Sequence, residues 1–200
     1  MGMLEIKQKQ NIKDIFGVVW FVVAVIIGAW LINALVFRSF SVTGPSMETT
    51  MFTGDRLIVN RLPMTWNGIQ GKPYMPNRGH VIVFRNPKFD EMRSDEFVVK
   101  RVIALPNEEV EVHNGKVTVY NSEHPNGFNP YDGVKVYPSD VTGVVERTKV
   151  PNGTIFVIGD NRGGNESLDS RNGLGFIPLE NIVGPVVLRI FPFDKVSTNF

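Results

Sequence analysis

Cysteine is absent from the 200 residues, which excludes disulfides, thiol catalysis and cysteine-ligated zinc or iron–sulfur sites together. Charge of either sign is also short. The net charge is +1, and the 21 basic residues are scattered along the chain, so no nucleic-acid partner is indicated. Histidine is scarce as well. His80, His113 and His124 lie far apart in the chain, with no spacing that sets two ligands on one element. They read as solvated strand or loop residues, and neither metal nor cofactor is expected. Long apolar runs are missing too, with one exception near the N-terminus.

That exception is Ile15 to Phe37, apolar apart from Asn33 and small residues. At about 1.5 Å per residue it covers a hydrocarbon core of roughly 30 Å. A cleaved signal peptide has an apolar region of only about 7 to 15 residues, so an uncleaved transmembrane anchor is the better reading. Lys7, Lys9 and Lys13 precede the run, and Arg38 alone follows it closely. This asymmetry holds the N-terminus in the cytoplasm. The expected organisation is therefore a cytoplasmic segment over 1–14, a single-pass plasma-membrane helix over 15–37 and an extracytoplasmic body over 38–200.

The body reads as mainly β, an antiparallel sheet or barrel-like domain. Short β-branched or aromatic runs occur at 57–59, 80–84, 97–104, 154–158 and 183–190, separated by Gly, Pro and Asn clusters. Residues 109–113 and 116–120 alternate with period two around Asn114-Gly115, the signature of a hairpin closed by a type I′ turn. With the Pro- and Gly-rich stretch that follows, 107–150 forms a small β-rich excursion from the main sheet.

Three clusters can carry chemistry. Gly44-Pro45-Ser46-Met47 lies eight residues past Arg38, so Ser46 stays within roughly 30 Å of the bilayer at about 3.3 to 3.6 Å per residue. A serine hydroxyl needs a neighbour to take its proton. No histidine is nominated for that, but a desolvated lysine serves, because burial disfavours the ammonium form. In Phe97 to Ala104, strand alternation sets Val98, Lys100 and Val102 on one face and Val99, Arg101 and Ile103 on the other. One of the two basic residues must then enter apolar surroundings, and lysine can give up its charge where arginine cannot. The rival reading has Lys100 snorkelling from an edge strand to water. The third cluster, Gly159-Asp160-Asn161-Arg162 and then Ser167-Leu168-Asp169-Ser170-Arg171, follows a strand. There Asp169 and Arg171 can pair, and Ser167 can hydrogen-bond the lysine.

Taken in order, these clusters resemble the boxes of the bacterial type I signal peptidases, a Ser/Lys-dyad serine protease family, of the single-anchor type. Gly44 to Met47 is similar to the nucleophile box, Arg78 to Phe84 to a strand box, Lys100 to Pro106 to the base box, and Gly159 to Arg162 with Asp169 to Arg171 to the last box. The resemblance implies hydrolysis of exported preproteins with small residues before the cut, at the bilayer surface. It implies Ser46 as nucleophile, Lys100 as general base, Ser167 orienting the lysine, and Asp169, Arg171, Gly159 and Asp160 in support. The Ser46 backbone N–H would face the oxyanion, and the second donor is unassigned, because Gly44 stands where some members carry a serine. His80 replaces the strand box's usual Asp, Thr49 replaces a proline, and residues 163–166 are extra. The contrasting reading is a catalytically silent, membrane-tethered β domain that binds peptides or partner proteins. Self-cleaving repressors share the dyad chemistry, but they carry a DNA-binding module and none is visible in this chain.

Overall fold

The computed structural model describes residues 2–90, 96–132, 143–162, 167–198 and 200, with backbone alone for 2–13. Helix α1, Gly2–Leu35, contains one segment long and apolar enough to cross a membrane, Asp14–Leu35. From Asp14 to Leu35 almost every side chain is exposed, as expected of a surface meant for lipid rather than for a protein core. The helix stops two residues before the end of the hydrophobic run. Phe37 already belongs to strand β1, Phe37–Ser41, because it pairs with Asn60 in a sheet.

Seven antiparallel strands form the main sheet in the order β1-β2-β10-β3-β4-β8-β9. They are β1, β2 (Arg56–Asn60), β3 (Val81–Arg85), β4 (Phe97–Ala104), β8 (Thr154–Ile158), β9 (Ile177–Pro178) and β10 (Ile182–Phe191). A second sheet, ordered β6-β5-β7, holds β5 (Glu109–His113), β6 (Lys116–Tyr120) and β7 (Val145–Lys149). It is inserted between β4 and β8, which are themselves hydrogen-bonded neighbours. The excursion read in the sequence thus leaves and re-enters the main sheet at one place. Strand β7 and the short helix α2, Leu62–Ile69, have no counterpart in the sequence reading. The part of the excursion over 133–142 lies outside the described residues.

Period-two alternation explains the packing. In β3, Val81 and Val83 enter one core with Met47, Met51, Leu57, Val59 and Val186, while Ile82 and Phe84 enter another with Val102, Ile155, Val157 and Ile177. Both faces of β3 are therefore covered, and a continuous apolar run is what such a strand requires. The second sheet is one-sided. Val110, Val112, Val117 and Val119 face a third core with Ile103, Phe156 and Ile158, and the intervening residues are only partly buried. Its hairpin turns through Asn114 and Gly115, at φ 49° and 75°, the two positive values that a type I′ turn demands. Gly115→Val is expected to cost about 1–2 kcal/mol, the penalty of a side chain in the left-handed region, as measured by chemical denaturation of the purified protein.

Candidate active site

Ser46 sits in the loop between β1 and β2, and that loop is pinned from below. Met47 and Met51 are fully buried, each worth about 1.5–3 kcal/mol of apolar burial. The N–H of Met51 donates to the Met47 carbonyl at 2.9 Å and that of Glu48 to the Pro45 carbonyl at 3.0 Å, so the chain around Ser46 is tightly wound. Arg189 of β10 donates to the Thr50 carbonyl and to Asp55, both at 3.0 Å, and Asp55 accepts the Phe52 N–H at 3.0 Å. Ser46 itself is left partly exposed on this fixed loop.

Lys100 Nζ lies 2.7 Å from Ser46 Oγ and 2.9 Å from the Val99 carbonyl oxygen. Only 2% of Lys100 is exposed, so it does not snorkel to water. Arg101 is buried as well, at 0%, although the sequence reading required only one of the pair to enter the interior. The reason is Asp160, which accepts from Arg101 Nε at 2.8 Å and Nη2 at 2.6 Å, while Arg101 Nη1 donates to the Gly79 carbonyl at 2.7 Å. A planar guanidinium held in this bidentate way can stay charged in the interior. Two adjacent residues of one strand are thus buried by different means.

The turn after β8 closes the site. Asn161 donates its N–H to the Ser46 carbonyl and its side-chain amide to the Pro45 carbonyl, both at 3.1 Å. Gly159 passes so close that a Cβ there would lie 2.3 Å from both the Ser46 carbonyl oxygen and Ser167 Oγ. Only glycine fits this gap. Its N–H donates to Asp169 Oδ2 at 3.1 Å, and Ser167 Oγ donates to the same oxygen at 2.9 Å. Arg171 completes the cluster, donating through its own N–H and Nε to Asp169 Oδ1 and through Nη2 to Oδ2. Ser167 and Asp169 are fully buried.

The structure therefore brings Ser46, Lys100, Gly159, Ser167, Asp169 and Arg171 into one connected cluster. Asp160 stands one layer behind, paired with Arg101. The extra residues 163–166 lie outside the described residues. Arg162 turns away from the cluster and lies over the Tyr131 ring, 3.6 Å from its centroid, joining the site's turn to the second sheet. Burial pushes the Tyr131 phenol above its ordinary value, and burial lowers Arg162. Among the described residues the Ser46 N–H has no acceptor. The three histidines are exposed and sit on separate elements. Sequence reasoning named Asn161 and Arg101 without their partners and missed Asp55 and Arg189, since these contacts join segments far apart in the chain.

Beside Ser46 opens a groove of about 540 Å³, lined by Phe40, Val42, Phe97, Val99 and Leu168 together with Ser46 and Lys100. An amine within hydrogen-bonding reach of a serine hydroxyl, at the edge of an apolar groove, is the arrangement of a serine hydrolase that works without histidine. The comparisons narrow this class. The model of the signal peptidase family, peptidase S26, matches residues 15–191. Signal peptidase I P of Bacillus subtilis subsp. natto is 30% identical, with 95% of this chain and 96% of that protein aligned. Signal peptidase I of Bacillus caldolyticus is 33% identical over 90% and 93% of the two chains. A solved signal peptidase I from Enterococcus faecalis V583 is 26% identical, with a TM-score of 0.35, and is matched over 56% of this chain and 96% of that one. The chain belongs to the signal peptidase family, peptidase S26, and is a serine endopeptidase.

Two variants test the geometry. Gly159→Ala places a methyl group against the Ser46 carbonyl and should abolish turnover while the protein still folds. Asn161→Ala removes one strut only and is expected to lower kcat by up to about 100-fold, the range for a misplaced reacting group, with little change in KM. Steady-state cleavage assays separate these outcomes. A third change probes stability. Asp160→Ala strands a buried guanidinium and should cost about 3–5 kcal/mol, whereas Arg101→Met with Asp160→Leu recovers most of it, read from thermal unfolding.

Proposed function

We propose that the protein removes signal peptides from exported preproteins, with Ser46 as nucleophile and Lys100 as general base. The observation that carries the assignment is the 2.7 Å contact between Lys100 Nζ and Ser46 Oγ, made by a lysine that is 2% exposed. The neutral amine takes the hydroxyl proton as Ser46 Oγ attacks the scissile carbonyl carbon. The resulting oxyanion receives the Ser46 N–H, a kind of donor whose loss costs about 2.7–4 kcal/mol in comparable sites. Lys100, now protonated, passes its proton to the leaving amine as the C–N bond breaks. Water, activated by the same amine, then hydrolyses the acyl-enzyme.

Ser167 and Asp169 act by direction. A hydroxyl whose own proton is committed to Asp169 has only lone pairs left to offer, and these suit an amine. Among the described residues, the carboxylates beside the site pair with arginines, Asp169 with Arg171 and Asp160 with Arg101. The substrate lies extended in the groove. Small residues at the first and third positions before the cut suit this groove, whose lining includes Phe40, Phe97 and Leu168. Helix α1 anchors the enzyme in the plasma membrane. The lysine excess before the helix sets residues 1–14 in the cytoplasm and the body from Arg38 to Phe200 outside.

The decisive assay follows cleavage of a preprotein bearing an Ala-x-Ala site by the purified chain in detergent. Ser46→Ala and Lys100→Ala should each slow it by at least about 10³-fold, and the double variant little further, since the pair acts as a unit. Lys100→Arg should not restore turnover, because guanidinium does not release its proton. Equal processing by wild type and variants would overturn the roles given to Ser46 and Lys100, and processing by none would leave the silent binding domain.

A further inference from the structure

Helix α2 has two unlike faces. Leu62, Trp66 and Ile69 are spaced by four and three residues, so they form one stripe. They are 48%, 65% and 76% exposed. On the opposite side Met64 packs against the core of Ile82, Phe84 and Val102 and reaches Gly184 of β10. One face thus belongs to the fold, and the other presents apolar area to the surroundings.

The position of α2 says what those surroundings are. Three of the contacts that end α1 come from Arg61 and Thr65. The Arg61 guanidinium donates to the Ala34 carbonyl, Thr65 Oγ1 donates to the Leu35 carbonyl at 2.8 Å, and the Arg61 N–H donates to the Val36 carbonyl at 2.7 Å. The last carbonyls of a helix have no partner within it, and in a membrane an unsatisfied carbonyl is especially costly. The residues that supply those partners are the ones that start α2. Its exposed stripe therefore begins at the level where the spanning segment leaves hydrocarbon. Leu35 and Phe37, 44% and 40% exposed, continue the apolar surface between them.

We infer that α2 lies in the headgroup boundary of the same bilayer that α1 crosses, with Leu62, Trp66 and Ile69 immersed. Eight residues are far too few to span, but an amphipathic turn with a tryptophan on its apolar face suits the interface. A single spanning helix leaves an attached body free to swing about its exit point. A second, adjoining contact removes that freedom and fixes the height and tilt of the groove above the lipid. The inference rests on the membrane-anchored reading and adds to it a defined lipid-contacting surface on the catalytic body.

The chain contains three tryptophans, so Trp20→Phe with Trp30→Phe leaves Trp66 as the sole reporter in the full-length protein. It is reconstituted into phosphatidylcholine and phosphatidylglycerol vesicles, with lipids brominated either near the headgroup or deep in the acyl chain. The expected result is blue-shifted emission, shielding from iodide, and stronger quenching by the shallow bromines than by the deep ones. Water-like emission with full iodide access overturns the inference. So does shielding without bromine quenching that varies with protein-to-lipid ratio, which would mark contact with a second copy. In a parallel arm, Trp66→Ser with Ile69→Ser should cleave a soluble peptide at the wild-type rate but process a membrane-inserted preprotein several-fold more slowly. Equal processing would show that the contact does not position the groove. If the wild type cleaves neither substrate, the peptidase reading fails, while the quenching still decides whether α2 meets lipid.

Discussion

The Ser46 carbonyl oxygen is the point where two distant parts of the chain meet. It accepts the Asn161 N–H at 3.1 Å, and Gly159 crosses it at a distance no other residue could match. Because that contact fixes the main chain of Ser46, it also fixes where Oγ can stand relative to Lys100 in β4. Gly159 also donates to Asp169, which holds Ser167, so the position of Ser46 and that of the Ser167–Asp169 cluster are not independent. A shift in one is a shift in the other.

Burial gives this geometry its chemical meaning. An exposed lysine would hold its proton and make a poor base; one shut away from water is a different reagent. Yet a neighbouring carboxylate would undo the effect by stabilising the charged form. Among the described residues, the two acids nearest the site each hold an arginine, Asp160 with Arg101 and Asp169 with Arg171. Such pairs add little net stability over apolar packing. Their value here lies in which charges they satisfy.

Much of this was legible in the sequence, for definite reasons. The strands at 81–85, 97–104, 154–158 and 182–191 stood out because burial on both faces demands uninterrupted apolar residues. The Asn114-Gly115 hairpin stood out because few other residues tolerate its backbone angles. Ser46 and Lys100 were singled out through their local surroundings and their order along the chain, and the two lie 2.7 Å apart. What escaped notice was of two kinds. Strand β7, Val-Glu-Arg-Thr-Lys, is mostly exposed and lacks an apolar pattern, so only its pairing with β5 makes it a strand. Asn161, Arg101 and Arg189 act through partners 22 to 139 residues away, a relation that no local pattern records. Helix α2 was legible in principle, since Leu62, Trp66 and Ile69 keep helical spacing, but a segment of 8 residues with proline near its start reads first as a loop.

The placement of the second sheet has a structural consequence for how this architecture can vary. Because β4 and β8 are side by side, the chain between Ala104 and Thr154 departs and returns through a single doorway. The distance from the lysine-bearing strand to the turn that grips Ser46 is set by two hydrogen-bonded neighbours and not by the length of what is strung between them. That intervening module can therefore grow, shrink or be exchanged as a unit, while Ser46 and Lys100 keep their spacing.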